Sequence, residues 1–298
     1  MFEKLKAKIL FDKLLSRPDI SKAYKMVDET DSWYQTIKTV HESLAQIKQY
    51  PSQTWQVTST DNLLLQGIYY PAQTPSNTTV LCIHGYTSHA EREWAFPGLF
   101  YKSLGYNVLI PYQRAHGPSQ GKYISCGAME ADDMAHWIDK INAETPNGNI
   151  IIHGLSMGGC IALLLAARNL QNVACIIADA PSIGVCEMFK NVSNAVFKSN
   201  QEKIANYCNS RFQKVFGVAP QDYNIFTTVS QSKYPILLSA GSNEHLEELF
   251  EALKKLNPQP TQTVILDGCN HGNGMYKQTE VFQGAIKSFV NCHLHNDK

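Results

Sequence analysis

The spacing of apolar and polar residues divides the chain into three stretches. Over residues 1–50 apolar positions recur three and four apart and glycine is absent, which predicts helix. That stretch stops at Tyr50-Pro51, because the residue before a proline is pushed out of the helical region. TWQVTST and NLLLQGIYY then read as two strands joined by a turn at Asp61-Asn62. After the loop PAQTPSNTT come four short apolar runs, TVLCIHG, NVLIPY, NIIIHG and ACIIADA, separated by stretches that read as helix. Continuous runs predict strands covered on both faces, and strand–helix alternation predicts a parallel sheet with right-handed crossovers. Residues 182–232 break the rhythm, being helical in character with no strand run. They precede the strand YPILLSAG, where an insertion would lie over the carboxyl end of the sheet as a lid. TQTVILDG is the final strand and GAIKSFVNCHL a closing helix. The expected organisation is a helical segment over 1–50 packed on the body, an α/β core over 51–181 and 233–298, and a helical lid over 182–232.

Composition narrows the function classes. The 298 residues are 44% hydrophobic and 17% charged, which suits one large α/β domain with a sizeable core. Lys+Arg and Asp+Glu are both 26, so no charge excess argues for a nucleic-acid partner. Eight scattered cysteines without a C-x-x-C pair predict free, mostly buried thiols in a reducing, cytoplasmic setting, not a zinc site. No run reaches the ~18 apolar residues of a membrane span. The N-terminal MFEKLKAKILFDKLL is too broken by charge for a signal-peptide core. Its pattern of Phe2, Leu5, Ile9 and Leu10 with intervening lysines predicts a helix packed on the body, with membrane-surface contact as the second reading. A homodimer is left open.

The chemistry-bearing segment is NIIIHGLSMGGCIALLLAAR. A β-branched run ends at Gly154, Ser156 follows, and a helix begins at Met157, giving G-x-S-x-G over Gly154 to Gly158. A serine at a sharp strand-to-helix turn is strained, and glycines beside it let chain segments pass closely. Its hydroxyl then stands above the sheet, next to a helix N-terminus that favours a developing anion. The competing reading is a glycine-rich turn with a capping serine. Acyl transfer also needs two donors aimed at an oxyanion. The N–H of Met157 is one; the N–H of Tyr86, after His84-Gly85, is the other. Gly85 would let that backbone approach, and His84 reads as a structural hydrogen-bonding residue.

A serine nucleophile requires a base, and the base a group that holds its tautomer. His271, in ILDGCNHGN after the last strand, is the expected base. His293 and His295 fall in the polar C-terminal tail, which is expected to be disordered. Glu244, three residues after Gly241, is the expected orienting carboxylate, while Glu247 and Glu248 read as the solvated face of the next helix. Arg114 and His116 at the end of the fourth strand read first as a loop salt bridge or hydrogen bond and second as substrate contacts. Trp94, Phe96, Phe100 and Tyr101 read as helix packing.

These motifs, with HGYTSHAEREW, YQRAHGPSQGKYISCGAMEADDMAHWID, HGLSMGG, YPILLSAGSNEHL and GCNHG, resemble the α/β-hydrolase superfamily over roughly residues 52–292. Within it the chain is similar to the lid-bearing esterase/lipase and serine-aminopeptidase-like (S33-type) group. Tyr112 stands where the similar D-x-R-G-H-G-x-S-x-G pattern has Asp, and Ala115 where it has Gly. The resemblance implies an eight-stranded, mostly parallel sheet flanked by helices with a helical lid. It also implies hydrolysis of carboxylic esters without metal or organic cofactor. The apolar lid residues Met188, Phe189, Val196, Phe197, Phe212, Val215 and Phe216 either favour a small ester with an apolar acyl or aryl group or simply pack the lid. Amide or aminopeptidase cleavage, thioester hydrolysis and a non-catalytic binding role remain alternatives.

Overall fold

The computed structural model describes residues 2–294. Eight strands form one sheet: β1 (Gln53–Thr58), β2 (Leu64–Tyr70), β3 (Thr78–Ile83), β4 (Asn107–Pro111), β5 (Asn149–Leu155), β6 (Val173–Asp179), β7 (Ile236–Gly241) and β8 (Thr261–Leu266). Their order across the sheet is β1-β2-β4-β3-β5-β6-β7-β8. β2 pairs antiparallel with β1 and β4, and every pair from β4 to β8 is parallel. The hairpin turns at Asp61-Asn62, where Asn62 takes a left-handed φ of 63°.

β3, β4 and β6 are buried along their whole length and β5 as far as Gly154, as continuous apolar runs require. Alternate side chains feed opposite layers. Leu81, Ile83, Ile150 and Ile152 join one core, and Val80, Cys82 and Ile151 join the other. The helices are α1 (Phe2–Leu15), α2 (Tyr34–Ile47), α3 (Ala90–Ser103), α4 (Ala128–Glu144), α5 (Met157–Leu165), α6 (Val185–Val196), α7 (Gln201–Phe216), α8 (Ile225–Ser230), α9 (Glu247–Leu256), α10 (Gly274–Lys277) and α11 (Thr279–His293). From β3 the chain goes to β4 on one side and then returns to β5 on the other. The segments that leave the carboxyl ends of the paired strands β3 and β5 therefore run to opposite sides, and such a switch in strand order leaves a crevice.

Two expectations are corrected. The first 50 residues are two helices, α1 and α2, joined by a largely non-helical stretch rather than one helical segment. Pro18 forces the break by excluding Arg17 from the helical region. Arg17 instead donates its N–H to Lys122 O (2.8 Å), and its guanidinium binds the Ser119 (2.8 Å) and Gly121 (3.2 Å) carbonyls. His293 does not belong to a disordered tail: it ends α11, its ring 4.8 Å from that of Phe289. His295 lies outside the described residues.

α6, α7 and α8 fill the connection from β6 to β7. Phe189 and Phe212 are wholly buried there, and Phe189 stacks on Phe11 of α1 at 6.0 Å. Val196 and Val215 are exposed. Trp94 and Tyr101 of α3 are buried core, Phe100 packs on Tyr101, and Phe96 stacks on Tyr276 at 5.3 Å. All eight cysteines are unpaired, six of them buried. Among the described residues no helix is long and apolar enough to cross a membrane, and no cluster of potential metal ligands occurs.

The loop after β4 is held by charge. Arg114, 2% exposed, binds Asp133 of α4 through Nε (2.7 Å) and Nη2 (2.8 Å), and Asp61 of the hairpin through both terminal nitrogens. Arg114 is therefore a buried strut. His116, also buried, packs edge-on against His84 with ring centres 4.6 Å apart. Ala115 takes a φ of 60°, the left-handed geometry that a glycine adopts freely, so the departure from Gly there is one of strain. Tyr112 donates to Glu91 and its ring fills the space beside Gly117. Removing one partner of a buried ion pair costs about 3–5 kcal/mol. Arg114→Ala is thus expected to lower the free energy of chemical denaturation by about that amount, and a loss below about 1 kcal/mol would contradict the strut.

Candidate active site

Backbone geometry places the serine. β5 ends at Leu155 and α5 starts at Met157, so Ser156 alone makes the turn, at φ 59° and ψ −114°. This region is sparsely populated for residues with a Cβ, and its strain is offset by surrounding contacts. The Ser156 N–H donates to Asp179 O (2.8 Å), and its carbonyl accepts from Cys160 N–H (3.0 Å) and Ser182 N–H (3.1 Å). The flanking glycines permit the crossing. A Cβ on Gly154 would lie 2.0 Å from Gly158 O, and one on Gly158 would lie 1.9 Å from Ile83 O.

The structure brings Ser156, His271 and Glu244 together from three loops. His271 Nε2 lies 2.8 Å from Ser156 Oγ, and His271 Nδ1 lies 2.5 Å from Glu244 Oε2. An ionised carboxylate only accepts, so the ring proton sits on Nδ1 and the Nε2 lone pair accepts the serine O–H. The other Glu244 oxygen accepts from Gly241 N–H (2.9 Å), which fixes the carboxylate in the short turn Ser242–Glu244. Glu247 and Glu248 are exposed in the first turn of α9.

Met157 opens α5 and Tyr86 follows the end of β3, so both backbones border Ser156. The two residues line one cavity of about 210 Å³ with Ser156, Cys126, Ser182, Gly184 and Met188. Met188, from α6, is the member of the apolar set between β6 and β7 that reaches it. The Tyr86 phenol donates to Leu14 O, and burial pushes its pKa up to about 12. His84 is wholly buried and held neutral by desolvation. Its Nδ1–H donates to Gly85 O (2.9 Å) and its Nε2 accepts from Gln113 N–H (3.1 Å), a structural role.

Several groups around the serine escaped sequence reasoning. Glu93 of α3 is buried; its Oε1 accepts from Gly85 N–H (2.7 Å) and its Oε2 from the Tyr24 hydroxyl (3.1 Å). It therefore braces the loop that carries Tyr86. Burial raises its pKa. Asp179 ends β6 and accepts from Ser239 Oγ–H (2.9 Å); burial lifts its carboxyl to about 7. Ala23, Tyr24 and Trp33, between α1 and α2, line a second cavity of about 280 Å³ with Ser88, Glu93, Ser156 and His271. Ser156 thus borders both cavities. Asp179 carried a signal, as a carboxylate at the carboxyl end of a parallel-strand run. Tyr24 and Trp33 carried none, because only the folded path of the N-terminal stretch brings them here.

The hydrogen bond that His271 Nδ1–H donates to Glu244 is the main cause that raises the His271 pKa, and the charges of Glu244, Asp179 and Glu93 add to it against desolvation. The imidazole should titrate above its ordinary 6.5 by NMR, and Glu244→Gln should bring that titration down. An unchanged midpoint in the variant would show that the carboxylate does not act on the ring.

A family model described as the alpha/beta hydrolase fold matches residues 78–283. The chain is 32% identical over 290 residues to the uncharacterized protein YqkD of Bacillus subtilis, covering 95% of this chain and 89% of that one. Among solved structures it is similar to the esterase Pf2001 of Pyrococcus furiosus, with a TM-score of 0.65, 22% identity and coverage of 94% and 99%. It is also similar to an alpha-beta hydrolase of Vibrio vulnificus, with a TM-score of 0.64, 21% identity and coverage of 95% and 92%.

Proposed function

The chain belongs to the α/β-hydrolase family, and on that premise we propose that it is a serine hydrolase that cleaves carboxylic esters through an acyl-enzyme. The observation that carries this reading is the continuous line of hydrogen bonds from Ser156 Oγ through the His271 ring to Glu244. In the proposed reaction Ser156 Oγ attacks the ester carbonyl while its proton passes to His271 Nε2. The imidazolium so formed is stabilised by Glu244. The N–H groups of Tyr86 and Met157 hold the oxyanion, each such donor being worth about 3 kcal/mol. As the tetrahedral species collapses, the C–O bond to the alcohol breaks and His271 gives the proton to the leaving oxygen. Water, deprotonated by the same ring, then attacks the acyl-serine and releases the acid. The chain's own residues suffice for these steps.

The cavity beside Tyr86, Met157 and Met188 is apolar in most of its lining and suits an apolar acyl or aryl group. We assign α6 to α8 the role of a lid whose Met188 shapes that group. The esterase Pf2001 has the same fold, which supports the ester reading by likeness. Amide and thioester cleavage would use the same three side chains, so substrate panels separate them. A p-nitrophenyl ester series is expected to turn over faster than aminoacyl anilides, and turnover of anilides alone would overturn the ester assignment.

A fluorophosphonate probe is expected to label the wild type once and to leave Ser156→Ala unlabelled. Labelling that persists in the variant would remove Ser156 as nucleophile, and a folded wild type that resists the probe would favour a binding role. Glu244→Gln is expected to lower kcat by roughly 10³–10⁴-fold with the fold intact, as losing the tautomer-holding acid does in serine triads. A near-wild-type rate would move that role elsewhere.

A further inference from the structure

α1 has two apolar faces. One, with Ala7, Leu10, Phe11 and Leu15, is buried against the body. The other leaves Phe2 at 67%, Leu5 at 53% and Ile9 at 60% exposure, at helical spacing. An exposed stripe of large apolar side chains is unusual on a helix that already buries its inner face, and it calls for a partner. The stripe does not stand alone. Ile9, Leu10 and Leu14 border a groove of about 260 Å³ whose far wall is Val192 and Val196 of α6 and the neighbouring Phe197. Val196 is itself 60% exposed. The charged side chains in the groove are Lys6 and Lys13. Lys6 Nζ lies 4.8 Å from the Phe2 ring centre and 5.4 Å from that of Phe197, so cation and apolar surface are interleaved.

The charge around the groove decides what covers it. α1 carries Lys4, Lys6, Lys8 and Lys13 against Glu3 and Asp12. Asp12 is engaged by Arg211 (2.9 Å), and the Glu3 carboxylate accepts from Asn200 (3.5 Å). Lys198 and Lys203 lie in the adjoining chain after α6, against Glu202. A second copy related by a twofold axis would set these lysines against their own counterparts, which costs energy. An anionic bilayer supplies both missing components: acyl chains for Phe2, Leu5, Ile9 and Val196, and headgroup charge for the lysines. We propose that α1 and the end of α6 form a docking surface for anionic phospholipid membranes, bound in the plane of the interface without a span. α6 links this surface to the site, since Met188 lines the cavity beside Ser156 and Val192 and Val196 line the groove.

The test is co-sedimentation of the full chain with vesicles of phosphatidylcholine alone and of phosphatidylcholine mixed with phosphatidylserine. Binding is expected only to the mixed vesicles, and it should weaken as salt is raised. Each lysine near a charged membrane surface is worth about 1 kcal/mol, or about fivefold, so Lys6→Gln with Lys13→Gln should weaken binding about 25-fold. Leu5→Glu with Ile9→Glu should abolish it. Both positions are exposed, and unchanged hydrolysis of soluble p-nitrophenyl acetate, or unchanged circular dichroism should that ester not react, shows that the variants fold. Equal binding to both vesicle types, no binding, or a dimer that Ile9→Glu dissolves while vesicles are ignored would each overturn the proposal.

Discussion

The architecture depends on one close crossing. The first turn of α5 lies directly over the ends of β3 and β5, close enough that Gly154 and Gly158 have no room for a methyl group. This contact forces Ser156 into its strained turn and points the N-terminus of α5 at the crevice where the connections from β3 and β5 part. The strain is held by the buried sheet on either side. Ser156 is tied through its own backbone to the end of β6 and to the chain just beyond it. A serine on an ordinary loop would gain neither the exposure nor the fixed relation to Met157 and Tyr86.

The imidazole is held more lightly, from an exposed loop, and its placement comes from electrostatics. Glu244 bonds it directly, while the buried carboxyls of Asp179 and Glu93 bias it toward the charged form. Glu93 has a second role through Gly85, where it fixes the loop that bears Tyr86. One buried acid thus acts on both the base and the proposed oxyanion donor. Tyr24 completes that group by donating to Glu93, so the N-terminal stretch contributes to the site as well as to packing.

The central strands were legible because they are continuous apolar runs, and a run such as NIIIHG can satisfy its pattern only when covered on both faces. Ser156, Glu244 and His271 were legible because each follows a strand at a position where topology limits where the side chain can go. Residues 16–33 were read as helix although Arg17-Pro18 carries the same stop signal as Tyr50-Pro51; the path that follows the break was not legible, because it depends on carbonyls more than 100 residues away that Arg17 binds. Glu93 stood in plain view in HAEREW, but nothing local distinguishes a helix carboxylate that faces water from one that faces a loop. The role of Arg114 depended likewise on Asp61 and Asp133, which the chain brings together from a hairpin and a helix.

The most direct measurement of the central claim is to trap the covalent intermediate. A slowly deacylating aryl ester, quenched in acid during turnover, should leave the intact protein heavier by one acyl group, with the increment on the peptide that contains Ser156. Turnover of the same ester with no acyl increment at Ser156, or with the increment on another residue, would contradict the account.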